Sequence, residues 1–184
     1  MDLGKQLKAV AEHLLLVDLK GLQKAKDLIK AASARGGKII IAGNGASAAI
    51  ASHVAVDLTK AAGVRAVNFN EADLITCLAN DYGYEHWIEK ALDFYADGKD
   101  VVILISSSGQ SANMLNAALK AKALGLALIT LSGFRKDNPL KKLGDINLWA
   151  DSSQYNIVET VHQAWLLAVV DQIASEKPRK KGPR

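Results

Sequence analysis

Asp100-Val101-Val102-Ile103-Leu104-Ile105-Ser106-Ser107-Ser108-Gly109-Gln110-Ser111-Ala112-Asn113 is the stretch that decides how this chain folds. Val101 to Ile105 is an unbroken apolar run, the mark of a strand covered on both faces. Four serines fill six positions after it, and a helical pattern then runs over residues 112–124. One serine there would be an ordinary helix cap; four are more than a cap needs. Hydroxyls, backbone N–H groups and the positive end of a helix converge on one spot, and phosphate is the common occupant of such a spot. Small side chains let the backbone approach the ligand closely, and Gly109 relaxes the turn.

The same grammar appears earlier in the chain. Residues 38–42 form a short apolar run, Gly43-Asn44-Gly45-Ala46-Ser47 follows, and a helix continues to about residue 61. The glycine loop is neither a dinucleotide fingerprint nor a P-loop: the third glycine and an acidic end to the next strand are missing, and no Gly-Lys-Ser/Thr follows. Placed beside the serine loop, it reads as the second wall of one pocket. Further strands are expected over 64–69, 126–131 and 146–149, and helices over 72–78, 85–94 and 156–173. Before all of these, Leu3, Leu7, Val10, Leu14 and Val17, then Leu22, Ala25, Ile29 and Ala32, recur at helical spacing. Asp18 is placed to cap the second of these helices and Gly36-Gly37 to end it. Alternating strands and helices predict an α/β fold, an open, mostly parallel five-stranded sheet with helices on both faces, preceded by a helical segment over 1–35. Ligands bind such sheets beyond the carboxyl ends of the strands, where both loops lie.

Composition agrees. The chain has 184 residues, 49% hydrophobic but only 5% aromatic, which suits one domain of aliphatic helices laid on a parallel sheet. The only cysteine, Cys77, rules out an internal disulfide, fits a reducing compartment and reads as a small buried hydrophobe. No apolar run approaches the roughly 18 residues of a membrane span, and the first residues lack a signal-peptide layout, so a cytoplasmic location is expected. The net charge of +4 comes from the end of the chain: without Lys177, Arg179, Lys180, Lys181 and Arg184, 18 basic residues face 19 acidic ones. Residues 177–184 therefore read as a disordered basic tail after a domain over 1–176, and no zinc-finger spacing, RNA-binding aromatic signature or basic helix face points to nucleic acid.

The ordered set Gly43-Asn44-Gly45-Ala46-Ser47-Ala48-Ala49, Ala79-Asn80-Asp81-Tyr82-Gly83, Ile105-Ser106-Ser107-Ser108-Gly109-Gln110-Ser111-Ala112-Asn113 and Leu131-Ser132-Gly133 resembles the bacterial phosphoheptose isomerases of the sugar-isomerase (SIS) fold. The resemblance implies a homotetramer with bundled leading helices and pockets shared between subunits. It places phosphate on Ser106, Ser107, Ser108 and Ser111 with help from Ser47, and sugar hydroxyls on Asn44 and Asp81.

Moving a proton between adjacent carbons of a sugar phosphate requires a base over those carbons and an acid or metal near the oxygens. In the family a helix after the glycine loop carries His and, four residues on, Glu; His53 and Asp57 stand at those places. Some relatives bind zinc with this pair plus Gln and His of the last helix, so the resemblance makes His53 and Asp57 candidate metal ligands. The last helix departs from the pattern. Where the family has Gln, His and a catalytic His, this chain reads Glu159, His162 and Leu167, and Leu167 cannot carry a proton. Asp57, Glu159 and His162 are the remaining catalytic candidates, with Glu159 expected to hold a proton among apolar neighbours and His162 expected to face the same pocket. His13 and His86, without partners in sequence, read as structural or exposed. Three functions follow: isomerisation of a ketose phosphate, with sedoheptulose 7-phosphate favoured; a sugar-phosphate-binding module without turnover; and a protein-interaction module resembling the replication-initiator-associating protein.

Overall fold

The structure, a computed structural model, describes residues 2–176; the basic tail expected over 177–184 lies outside the described residues. Two helices lead, α1 (Leu3–Leu15) and α2 (Leu19–Ala34). Each begins on an aspartate: Asp2 accepts from the Gly4 amide at 2.8 Å and Asp18 from the Lys20 amide at 3.0 Å, satisfying N–H groups that have no partner inside the helix. Then come β1 (Ile39–Gly43), α3 (Ala46–Lys60), β2 (Ala66–Asn68), α4 (Ala72–Tyr82), α5 (Trp87–Tyr95) and β3 (Val101–Ser106). The second half holds α6 (Ala112–Ala123), β4 (Ala127–Ser132), α7 (Pro139–Leu143), β5 (Ile146–Trp149) and α8 (Tyr155–Ser175). Pro139-Leu140-Lys141-Lys142-Leu143, the short α7, is an element that sequence periodicity misses, because five residues hold too little of a helical period to be seen. The second strand shrinks from the expected 64–69 to Ala66–Asn68 at the sheet edge.

Every strand pair is parallel, in the order β2-β1-β3-β4-β5. Parallel neighbours require a crossover, and each crossover here carries a helix, so both faces are covered. Successive strand residues point to opposite faces. Ile39, Ile41, Ile103, Ile105, Ile129 and Leu131 join a core with α2, α3 and α8. Ile40, Ala42, Val102, Leu104 and Leu128 join a second core with α4, α5, α6 and α7. That double burial is why the strands read as unbroken apolar runs.

Register places the site. Gly43 pairs with Ile105, and Ser106 pairs with Ser132, so the carboxyl ends of β1, β3 and β4 lie level. From β1 the chain moves to β2 on one side and β3 on the other, and the crevice at this reversal is where open α/β sheets take ligands.

α1 packs against α8, where the Trp165 indole N–H donates to the Leu14 carbonyl at 3.1 Å. His13 is structural, its ring nitrogens lying 2.7 Å from the Ala9 carbonyl and 3.0 Å from the Asp151 carbonyl. No residue of α1 is buried within the chain; Leu3 and Leu15 are 84% and 85% exposed. Cys77 corrects an expectation: it is exposed on α4, with Sγ 3.9 Å from an Asp81 carboxylate oxygen, because this position falls on the solvent side of a helix that buries only Leu78. Among the described residues no helix is long and apolar enough to cross a membrane.

Candidate functional site

The serine loop closes a cavity of about 200 Å³ bordered by Asn44, Ser47, Ser106, Ser107, Ser108, Ser111, Tyr155 and Glu159. Gly43 allows the first wall to form. A Cβ there would stand 2.6 Å from the Ser47 carbonyl carbon, so only glycine lets α3 begin directly against the end of β1. Ser47 is thereby buried in the first turn of α3.

In the second wall the serines divide their work. The Ser106 hydroxyl accepts from the Gly109 amide and the Ser108 hydroxyl from the Gln110 amide, both at 3.2 Å, which shapes the turn. Ser111 caps α6 without spending its hydroxyl on the helix. The buried Ser107 hydroxyl has no hydrogen-bond partner within the protein. A buried polar group left unpaired costs about 1–3 kcal/mol, and at a cavity wall it marks a place for a ligand.

Three side chains outside the expected set lock the walls. Asn44 and Asn113 exchange two amide hydrogen bonds, 3.0 Å from Asn44 Nδ2 to Asn113 Oδ1 and 2.8 Å in return, and the Tyr84 hydroxyl donates to Asn44 Oδ1 at 3.2 Å. Asn138, 1% exposed, donates to the Ser132 hydroxyl, the Gly133 carbonyl and the Arg135 carbonyl, and accepts from the Lys141 amide. The Gly133 amide donates to the Ser107 carbonyl at 2.9 Å, and the Leu140 amide to the Gly109 carbonyl at 3.1 Å. Asn113 was in plain view, one step past the serine loop; Asn138 could be found only by noticing Asn-Pro as a helix start.

Glu159 also borders a second cavity of about 410 Å³, lined by Ala46, Ala49, Ile50 and His53 of α3 and by Asn156, Thr160 and Gln163 of α8. It is the one residue common to the linings of these two cavities. Burial pushes its carboxyl above the usual carboxylate range, favouring the protonated form, and the nearby Ser107 hydroxyl opposes this without forming a bond of normal geometry.

His53 is gripped at both ring nitrogens. Gln163 Nε2 lies 3.0 Å from Nδ1, and an Asp57 carboxylate oxygen lies 3.2 Å from Nε2. Asp57 itself borders neither cavity; it stands one turn along α3, behind His53.

The expectation that His162 faces this pocket is corrected. Its ring is fully buried against the sheet, Nε2 donates to the Ser132 carbonyl at 3.0 Å, and Nδ1 has no partner. Burial pushes its pKa down to about 4, so the ring is neutral. The reason is helical phase: Glu159 and Gln163, four apart, share the cavity face of α8, while Val158, Val161, His162 and Trp165 face the core. Leu167 packs partly buried against that core. Asp81 also stands apart, exposed at the end of α4 and bonded to the Asn80 amide at 2.9 Å. His86 lies partly exposed beside Glu89. A cavity of about 580 Å³ beside β2, lined by Val67, Phe69, Leu74 and Cys77, contains none of the loop residues.

Within a single chain the described residues do not assemble a zinc site. Zinc sites take three or four N, S or O ligands in tetrahedral array. Among the described residues no three His, Cys, Asp or Glu side chains converge as a metal site, both His53 nitrogens already have partners, and Leu167 offers no donor.

Comparison with known proteins agrees with this fold. The family model described as the SIS domain matches residues 4–133. The phosphoheptose isomerase of Helicobacter hepaticus is 35% identical over 161 residues, covering 84% of this chain and 82% of the relative. That of Syntrophotalea carbinolica is 30% identical over 179 residues, covering 94% and 90%. The solved phosphoheptose isomerase of Neisseria gonorrhoeae superposes with a TM-score of 0.85 at 28% identity, covering 94% of each chain.

Proposed function

The chain belongs to the SIS-domain family, and from that premise we propose that it is a phosphosugar isomerase interconverting a ketose phosphate and an aldose phosphate. The pair favoured by its relatives' names is sedoheptulose 7-phosphate and a heptose 7-phosphate. One observation carries this reading. Glu159 closes the serine-lined cavity and opens onto the second cavity, so an anion cradle and a carboxyl whose proton affinity burial raises share a wall.

The phosphate sits among the hydroxyls of Ser47, Ser106, Ser107, Ser108 and Ser111 at the start of α6, with Ser107 supplying the unused donor. Asn44, already aligned by Asn113 and Tyr84, reaches the first sugar hydroxyls. The carbonyl end extends past Glu159, whose carboxyl, its proton affinity raised by burial, serves as the acid that protonates the carbonyl oxygen as the neighbouring carbon loses its proton. Returning that proton to the other carbon, while the hydroxyl on the first carbon gives its proton to Glu159 and becomes the new carbonyl, completes the isomerisation.

Assembly follows from α1. Leu3, Leu7, Leu15, Leu16 and Leu19 lie exposed along the leading helices, more apolar surface than a solvated face needs, which supports a homotetramer held partly by residues 1–35. A cytoplasmic location accords with the single cysteine.

The test is incubation with a panel of ketose phosphates in deuterated water. Deuterium should enter at C1 or C2 of a seven-carbon substrate. If none enters any ketose phosphate while the phosphates still bind, the chain is a sugar-phosphate-binding module, as Leu167 in place of an imidazole would then explain.

A further inference from the structure

We propose that His53 is the working imidazole of this site, oriented from behind by Asp57 and capped by Gln163, and that this array stands where zinc stands in other members of the family. The inference rests on the isomerase reading and deepens it, because Leu167 leaves the last helix without an imidazole and His162 is locked into the core.

Three observations meet at His53. First, it is the only imidazole in the lining of the second cavity, on the face of α3 that also carries Ala46, Ala49 and Ile50. Second, an Asp57 carboxylate oxygen lies 3.2 Å from Nε2, one turn along the same helix, and a carboxylate beside that nitrogen favours the tautomer with the ring proton on it. Asp57 is therefore a positioning residue, as an orienting carboxylate is for the histidine of a hydrolase. Third, with Nε2 protonated, Nδ1 of the neutral ring presents a lone pair, and the Gln163 amide N–H at 3.0 Å satisfies it.

The two contacts come from different helices, one turn along α3 and across from α8, so the ring is held from both sides before any ligand enters. Gln163 shares its face of α8 with Glu159, which places cap and acid on one wall. When a sugar displaces the amide, Nδ1 is left as the base. It takes the proton from the carbon beside the carbonyl, the C–H electron pair becomes the enediol double bond, and the carbonyl oxygen takes its proton from Glu159. Delivery of the proton from Nδ1 to the former carbonyl carbon, and of the proton on the other enediol hydroxyl to Glu159, forms the new carbonyl and restores both groups. A turn of the Gln163 amide by 180° lets its oxygen accept from Nδ1–H, so the same contact serves the ring after it has taken the proton.

The test reads the ring directly. Long-range ¹H–¹⁵N spectra of the full-length, ligand-free protein at neutral pH should show His53 as the Nε2–H tautomer, unmoved by one equivalent of zinc. Asp57→Ala should give a mixture of tautomers. His53→Gln, at an exposed position, should lower deuterium exchange about 10²–10⁴-fold with phosphate affinity unchanged. An Nδ1–H tautomer, a His53 resonance shifted by stoichiometric zinc, or full exchange by His53→Gln would each overturn the proposal. Absence of exchange in the wild-type protein would overturn the isomerase reading and the base role with it. The tautomer, read without substrate, would still decide whether Asp57 and Gln163 hold the ring.

Discussion

The strand-end loops and the α3–α8 seam meet at Glu159, yet they are built on different principles. In the loops the backbone does the binding: glycines open the turns, the parallel register levels the strand ends, and the serines line one cavity. In the seam, side chains do the work, and function depends on which face of a helix each one occupies. A loop of this kind tolerates little change of shape but is readable from sequence. A seam tolerates exchange of residues while the fold persists, and there this chain departs from the family pattern.

The largest effect should come from a change of loop shape. Gly109 has φ +63°, and a Cβ there would lie 2.1 Å from Asn138 Oδ1. Asn138 is buried and held by four hydrogen bonds, so it has nowhere to go. Gly109→Ala should abolish measurable sugar-phosphate binding in calorimetry and lower the melting temperature by several degrees, since strained left-handed backbone alone costs about 1–3 kcal/mol. Wild-type affinity in this variant would mean that the loop is not a shaped cradle.

The next effect belongs to His162, where the seam supports the loops through the Ser132 carbonyl. Its pKa is depressed from the ordinary 6.5 to about 4 in the folded protein. The unfolded chain binds that proton more readily, so the neutral ring's contribution to stability is complete above about pH 6.5. It is lost as pH falls towards 4, on the order of 3 kcal/mol in all. Urea midpoints at pH 7.5 and 4.5 should fall more for the wild type than for His162→Gln. Equal falls would show that the ring is not buried neutral.

The fold was largely legible, and for a physical reason. Strands buried on both faces must be continuous apolar runs, and Val101 to Ile105 could be little else. The serine loop was legible because its hydroxyls exceed what a cap needs. The seam was not, because helical spacing places Glu159, His162 and Gln163 within reach of one another without saying which face the core will claim. His162 was assigned to the pocket and lies in the core, while Gln163 matches no motif and reaches His53. Cys77 was misplaced for the same reason, on the outer side of α4.

A smaller change within the cradle sharpens the contrast. Ser107→Ala removes a hydroxyl that bonds nothing in the protein, so the melting temperature should stay within a degree or two. Phosphate affinity should drop by about 1.5–3 kcal/mol, roughly 10–150-fold, as expected for a hydrogen bond to a charged group. A loss of stability without loss of affinity would make Ser107 a structural serine.

The central claim is that cradle and chemistry share a wall but are separable, and Glu159→Gln tests it most directly. The variant keeps the shape of the wall and removes the proton. Measured side by side with the wild type, it should bind sedoheptulose 7-phosphate within a few-fold of normal by calorimetry. Its deuterium exchange into that substrate should fall about 10²–10⁴-fold. Full exchange by Glu159→Gln with unchanged binding would contradict the account and remove the carboxyl from the mechanism.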